Sequence, residues 1–164
     1  MKLSPRPVAL ALILTAGVVS AALSGCAQTV ALQPAEFASD AGCAEIVVHA
    51  PTDVADLPIR ETDAQGVVAY GDPTAVIVRC GVEEPGPTST LPCVLVEDGS
   101  STYWLRDDSD APNYVFTTYG RSPATEVIIN RDIVAPGAVL YDLVDDVART
   151  TETGKCTEIE DSLG

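Results

Sequence analysis

The residue types best suited to chemistry in this chain are five cysteines and a single histidine. Cys26 closes the tetrapeptide Leu23-Ser24-Gly25-Cys26, in which a branched apolar residue and two small residues precede the cysteine. This pattern is typical of a lipobox, because small residues let the scissile bond enter a narrow protease site and the thiol at +1 accepts a diacylglyceryl group. We therefore predict cleavage between Gly25 and Cys26 and a lipid thioether on Cys26.

The residues before this motif have the organisation of an export signal. Lys2 and Arg6 form a basic start, and an uncharged, mostly apolar run follows over residues 8–23. That run is short for a membrane helix, which needs roughly twenty residues, and it fits the apolar region of a signal peptide. A plain secretory signal cut near Ala22 and an uncleaved anchor helix remain alternatives. Two acyl chains on Cys26 would hold the protein stably to membrane lipid on the outer face of the cytoplasmic membrane.

The other four cysteines are even in number, which in an exported domain indicates two disulfides. We favour Cys80–Cys93, which closes a short Pro- and Gly-rich loop, together with Cys43–Cys156, which ties the two ends of the domain. A metal site is the sharper alternative. The chain has no Cys-x-x-Cys and one histidine, so no metal and no cofactor are predicted.

The remaining polar candidates do not assemble a catalytic set in the sequence. His49 is the histidine that a nucleophilic triad would have to use, and no Gly-x-Ser-x-Gly accompanies it. Asp107, Asp108 and Asp110 are spaced like calcium ligands, but the bend glycine and the distal glutamate are missing. We expect a structural histidine and a solvated acidic loop, and therefore no catalytic residues.

Arginine is scarce, so the placement of two arginines is informative. Arg79 lies inside an apolar segment, where it needs a carboxylate partner or an anion. We favour an ion pair for Arg79. A ligand-facing role for Arg79 and for Arg121, beside Tyr119, is the alternative. Trp104, the sole tryptophan, is expected in the core.

Charge restricts the possible partners. Residues 26–164 hold seven basic residues against 24 acidic ones, a formal charge of −17. Such a surface repels nucleic acid and anionic headgroups. The composition therefore argues against nucleic-acid binding, leaving an unknown protein or small molecule as the partner. Scarce lysine and abundant Ala, Val, Asp and Thr lean towards a GC-rich genome.

Short apolar runs predict the elements that would position these residues. Residues 75–80 suit a buried strand, and four further runs are joined by tight turns, which predicts antiparallel pairing. These runs cover residues 93–96, 103–105, 114–119 and 125–129.

The spacing of apolar residues changes to that of a helix near the C-terminus, which predicts a helix over residues 136–148. Apolar residues recur there on one face, with Asp142, Asp145 and Asp146 assigned to the opposite, wet face. Residues 40–50 are ambiguous between helix and strand, and residues 51–60 are compatible with a helical turn. We predict an α+β fold, with an antiparallel sheet of about four strands and helices on one face. The predicted divisions are a signal peptide over 1–25, a lipidated tether over 26–39 and one domain over 40–164.

Several short motifs resemble one uncharacterised family of short actinobacterial exported proteins and lipoproteins, catalogued as domain of unknown function 3515. The motifs are Gly71-Asp72-Pro73, Cys80-Gly81-Val82, Trp104-Leu105 and Thr118-Tyr119-Gly120-Arg121 ahead of Pro123 and Val127. The resemblance spans about residues 43–156. It implies an envelope location, paired cysteines and a helix over residues 41–50, and it implies no activity. The β-branched run Ile46-Val47-Val48 suits that helix poorly.

Three functions are compatible with these observations. The first is a non-enzymatic binding or accessory lipoprotein, favoured by the anchor and by the missing catalytic set. The second is a cell-envelope enzyme that uses carboxylates such as Asp107 or Asp110, which would need a pocket joining two carboxyls with raised pKa values. The third is a structural or assembly lipoprotein, which an apolar surface patch would favour.

Overall fold

The computed structural model describes residues 28–87 and 90–157. The predicted signal peptide, its cleavage between Gly25 and Cys26, and the lipid on Cys26 lie outside the described residues. The helices and strands, in chain order, are α1 (Ala41–His49), β1 (Asp53–Val54), β2 (Leu57–Arg60), β3 (Val67–Tyr70), β4 (Val76–Val82), β5 (Cys93–Asp98), β6 (Ser100–Asp110), β7 (Asn113–Tyr119), β8 (Arg121–Ser122), β9 (Ala124–Asn130), α2 (Pro136–Val147) and β10 (Thr151–Glu152).

Eight strands form one antiparallel sheet in the order β1-β2-β3-β4-β9-β7-β6-β5. The prediction of about four strands was too low, because β1, β2 and β3 were missed. Strand β3 is a run of four buried residues, Val67–Tyr70, and its apolar composition could have predicted the strand. Strands β8 and β10 pair separately as a two-stranded sheet.

Both helices pack on the sheet and contact one another, so they lie over the same face. Alternate residues of β4 and β9 are buried beneath them, as the period of a strand requires. Helix α2 buries Val139, Leu140 and Leu143 among other apolar residues, which confirms the predicted helix and its apolar face. Trp104 is fully buried in the same core, as predicted. The α+β class is therefore confirmed.

Residues 41–49 form helix α1, as the family resemblance implied. The Asp40 side chain accepts a hydrogen bond from the Gly42 amide, which caps the first turn. Ile46 points into the core, while Val47 and Val48 are exposed. The β-branched run is tolerated because burial of Ile46 favours the helix more strongly than local propensity opposes it.

The helical turn with which the sequence of residues 51–60 is compatible does not form, because this segment is the hairpin of β1 and β2. Ala55 and Asp56 form its two-residue turn and both have positive φ, at 49° and 64°. Positive φ at both turn residues suits a hairpin but is normally supplied by Asn and Gly. The amide of Ala55 donates to Asp142 on α2 at 2.6 Å, a tertiary contact that sequence reading could not supply.

All four cysteines in the described residues form disulfides, but the favoured pairing was wrong. The bonds join Cys43 to Cys80 and Cys93 to Cys156. Cys80 lies on β4 and Cys93 on β5, and three strands separate β4 from β5 in the sheet. Four inter-strand spacings amount to about 19 Å, far beyond the roughly 7 Å that a disulfide can bridge. The two disulfides are consistent with an exported protein.

The predicted tether packs against the domain from Gln28 onwards. The Val30 amide donates to the Glu61 carbonyl at 2.8 Å, and the Phe37 amide donates to the Gly81 carbonyl at 2.8 Å. Ala38 is buried. The domain therefore begins earlier than residue 40. Among the described residues, no helix is long and apolar enough to cross a membrane.

Candidate functional site

A groove of about 660 Å³ lies between α1 and residues 59–68, and we call it the α1 groove. One wall is the face of α1 that carries Ala44, Val47 and Val48. The other wall runs from Ile59 on β2 through the following loop to β3. A smaller cleft of about 390 Å³ lies beside it, between Phe37 and the turn at Pro123.

The walls of the α1 groove hold apolar side chains that are open to solvent. Val48 is 77% exposed, Ile59 40% and Val47 39%. Single exposed apolar residues are ordinary on a protein surface, but a group around one concavity marks an interaction site. The arrangement can therefore hold an apolar group.

The floor of the groove is rigid because covalent and backbone contacts hold α1 to the sheet. The Cys43–Cys80 disulfide joins the first turn of α1 to β4. Gly81 allows the backbone of Phe37 and Ala38 to pass against β4, where any Cβ would overlap the Phe37 carbonyl. The Cys80 amide also donates to the Gly66 carbonyl at 2.9 Å, which fixes the loop opposite α1. The groove is thus preformed.

The charged groups at the groove are mostly engaged by the fold. Arg60 donates to the Gly71 carbonyl and to the Gln28 carbonyl, each at 2.9 Å, and pairs with Asp72 at 3.2 Å. Asp40 caps α1. The groove therefore combines exposed apolar surface with an arginine and a capping aspartate that the fold already uses.

Arg121 belongs to the fold and is not available to a ligand, which corrects its suggested ligand-facing role. Its guanidinium is buried and donates to the carbonyls of Ser101, Ala148 and Thr150 at 2.7–3.0 Å. Burial lowers the pKa of Arg121, and the charge of Glu152 partly opposes this shift. The cation joins β6, β8 and the segment after α2.

Arg79 forms the predicted ion pair, with Glu126 on the neighbouring strand at 2.7 Å. The two residues are direct cross-strand partners in β4 and β9. Tyr119 is half-buried at the end of β7, opposite Tyr103 on β6. Arg79, Tyr119 and Arg121 therefore do not meet at one site, and none of them lines the α1 groove.

Sequence reasoning placed Asp146 on the wet face of α2, but it is only 4% exposed. At 100° per residue it lies about 20° from Val139, at the edge of the apolar stripe, so a helical projection could have found it. Burial raises the pKa of Asp146 to about 6, against lowering by the charges of Arg149 and His49. Its Oδ1 lies 3.5 Å from Arg149 Nε.

Burial, followed by the charge of Asp146, raises the pKa of Tyr70 far above its ordinary value.

A family model described as "Protein of unknown function (DUF3515)" matches residues 5–156. The chain belongs to this family. No curated protein and no solved structure matches the chain. The match extends over both disulfides and every described helix and strand.

The motifs that suggested the DUF3515 family are structural. Trp104 fills the core, and Gly81 permits the close approach described above. Gly120 has φ +67°, and a Cβ there would overlap the Gly154 carbonyl. Arg121 follows at once with its three carbonyl acceptors. Gly120 and Arg121 therefore determine how β6, β8 and the C-terminal segment meet.

The carboxylates considered for catalysis do not converge in this DUF3515 protein. Asp107, Asp108 and Asp110 lie at the end of β6, and the last two are exposed. Hydrogen bonds from the side chain and amide of Ser109 lower the pKa of Asp107. Within residues 28–87 and 90–157, no group of three or more His, Cys, Asp or Glu could hold a metal ion. His49 contacts the carbonyl of Glu45 at 2.8 Å and its carboxylate at 3.5 Å.

Proposed function

We propose that this protein is a lipid-anchored, non-enzymatic binding module on the outer face of the cytoplasmic membrane, and that the α1 groove is its binding site. The observation that carries the proposal is that the exposed apolar side chains Val47, Val48 and Ile59 surround a preformed concavity. A concavity favours a bound ligand, whereas a flat apolar patch would favour the structural or assembly role. The anchor rests on the basic and apolar leader and on the lipobox that ends at Cys26.

The size of the groove supports binding of a ligand. Its volume of about 660 Å³ falls within the roughly 300–1,000 Å³ of ordinary ligand sites. Such sites are mostly apolar and largely preformed, which agrees with the engaged Arg60 and the disulfide-held α1. Covering the exposed parts of Val47, Val48 and Ile59 would be favourable at roughly 25 cal/mol for each Å² removed from water.

Binding is favoured over carboxylate catalysis because the required pair of carboxyls is not assembled. Asp107 and Asp110 do not line the α1 groove. Among the described residues, Asp146 is the carboxyl with a raised pKa, and it is buried under α2. The pKa of Asp107 is lowered, which does not suit a general acid.

Photo-crosslinking in the full-length chain tests the site. The chain is produced in a bacterium that processes lipoproteins, with p-benzoylphenylalanine in place of Val48 at the rim of the groove. The matched control carries the same group in place of Tyr141, which is 50% exposed on α2 and does not line the groove. We expect a discrete adduct, identified by mass spectrometry, from position 48 and not from position 141.

A groove-filling substitution makes this result specific. Ala64→Phe, or Ala44→Phe from the helix side, occupies the concavity. Either should reduce the position-48 adduct about tenfold, which corresponds to a loss of about 1.4 kcal/mol of binding. Adducts that form equally at positions 48 and 141, or that persist in both filled variants, would show that the groove is not the binding site.

A further inference from the structure

We infer that the ligand of the α1 groove is an acyl chain of a lipid in the leaflet that carries the anchor. This inference rests on the proposed function and names its ligand. It follows from the contact of Gln28 with the groove wall, from the charges around the groove and from the hydrogen bonding of the backbone edges beside it.

The contact between Gln28 and Arg60 would place the groove at the bilayer surface once Cys26 carries lipid. Gln28 is two residues after Cys26, so their Cα atoms are at most about 7 Å apart. The Gln28 carbonyl accepts a hydrogen bond from Arg60 at 2.9 Å, and the Val30 amide donates to the Glu61 carbonyl at 2.8 Å. Arg60 and Glu61 both line the groove. A lipid on Cys26 therefore brings this wall of the groove to the headgroup layer.

The charges around the groove, where Asp40 and Glu61 outnumber Arg60, disfavour an anionic occupant. Among the described residues that line it, Arg60 is the one base. Its guanidinium is already held by Gly71, Gln28 and Asp72. No lining cation is thus left to pair with a phosphate or a carboxylate, and the chain as a whole is strongly acidic. An acyl chain needs no such partner.

The backbone beside the groove disfavours an extended peptide. Peptides that add to a sheet gain affinity from hydrogen bonds to an unpaired edge. Strand β2 lies between β1 and β3, so both of its edges are occupied. The loop that follows β2 is paired with the incoming chain through Val30, whose carbonyl also accepts from the Asp63 amide at 3.3 Å. The backbone edges of β2 and of the loop after it are therefore occupied, and the apolar side chains of the groove suit a hydrocarbon chain.

Fluorescence quenching by brominated lipids tests the inference. Lipidated full-length protein carrying Val48→Trp is reconstituted in phosphatidylcholine vesicles with plain or brominated acyl chains. Tyr141→Trp is the matched control, and Trp104 is buried equally in both proteins. We expect the Val48→Trp protein to lose most of the emission of the added indole when the chains are brominated. We expect the Tyr141→Trp protein to lose little.

A second variant separates a chain within the groove from a groove rim that only touches the bilayer. Adding Ala64→Phe to Val48→Trp fills the concavity, and Ala44→Phe does so from α1 if the first variant fails to fold by near-ultraviolet circular dichroism. Quenching should fall sharply in the filled protein. Undiminished quenching in a folded, filled protein would overturn the inference, as would absence of quenching in the Val48→Trp protein.

The outcomes distinguish the inference from the proposed function. If position 48 crosslinks to a protein and bromine does not quench there, the groove is a binding site but its ligand is not a lipid chain. If neither crosslinking nor quenching is specific to position 48, both the inference and the proposed function are wrong.

Discussion

At the scale of single residues, two ionisable groups are buried at a cost in hydration free energy. They are the guanidinium of Arg121 and the carboxyl of Asp146. Arg121 is stabilised by three backbone carbonyls, so its charge is well compensated. Asp146 has only the Arg149 guanidinium at 3.5 Å, and neither of its oxygens accepts a hydrogen bond from a described residue. Asp146 is therefore the weaker point of the core.

The raised pKa of Asp146 predicts a pH-dependent stability. Its pKa of about 6 in the folded state exceeds the ordinary 3.8, so the folded protein binds the extra proton between these values. This contribution to stability is fully present below about pH 3.8 and is lost as the pH rises through about 6. Asp146→Asn should therefore be more stable than the parent. Its advantage should grow by about 2 kcal/mol between pH 4.5 and 7.5.

Urea unfolding at the two pH values measures this difference. Asp98→Asn, at an exposed position on β5, controls for the loss of one negative charge. An advantage of Asp146→Asn that is the same at both pH values would show that the carboxyl of Asp146 is not responsible.

At the scale of elements, the seating of α1 on the sheet decides whether the groove exists. The chain enters α1 through Phe37 and Ala38, which pass directly over Gly81 on β4. Gly81 has φ +85° and lies at an irregularity in the pairing of β4 with β9. A side chain there is opposed by both backbone conformation and space.

Gly81→Ala should therefore destabilise the protein by about 2–4 kcal/mol, a large effect for one methyl group. The displaced helix should also weaken crosslinking from position 48. Gly86→Ala is the matched control, because nothing lies within 4 Å of a Cβ at that position. Urea unfolding gives both values, and equal stability of the two variants would contradict the close packing at Gly81.

At the scale of the whole molecule, the two disulfides connect the sheet to segments that lie outside it. One joins α1 to the middle of the sheet, and the other joins edge strand β5 to the C-terminal segment. In the chain-entropy account, closing loops of 37 and 63 residues stabilises by about 4 kcal/mol each. These bonds compensate for the modest core of a small domain.

Mass spectrometry of protein from the native membrane tests both the disulfides and the anchor. We expect loss of residues 1–25, a diacylglyceryl adduct and a gain of four hydrogens on reduction of the two disulfides. A non-reducing digest should link Cys43 to Cys80 and Cys93 to Cys156. In the Cys26→Ala variant the lipid should be absent and the hydrogen gain unchanged.

Each mass that differs from these expectations would contradict a different prediction. An unlipidated parent protein would leave a secreted or an uncleaved, membrane-held chain and would remove the anchor from the proposed function. Lipidation without a gain of hydrogens would leave the anchor in place and make the other four cysteines thiols or metal ligands.

The sequence alone determined the helices and strands whose apolar pattern lies within one continuous segment. The helix α2 follows from apolar spacing, and strands β4, β5, β6, β7 and β9 follow from short apolar runs between turn residues. The even cysteine count predicted two disulfides, and Arg79 in an apolar strand predicted its carboxylate partner. Each of these depends on neighbours along the chain or on a requirement that any fold must satisfy.

The tertiary structure decided whatever depends on the order of the strands. That order separates Cys80 from Cys93 and leaves each cysteine a partner distant in sequence. It brings Asp142 to the unusual turn at Ala55, and it buries Asp146 at the edge of its helical stripe. The α1 groove likewise exists only because α1 is held beside β2 and β3. Sequence patterns record which face of an element is apolar, whereas long-range packing decides which elements meet there.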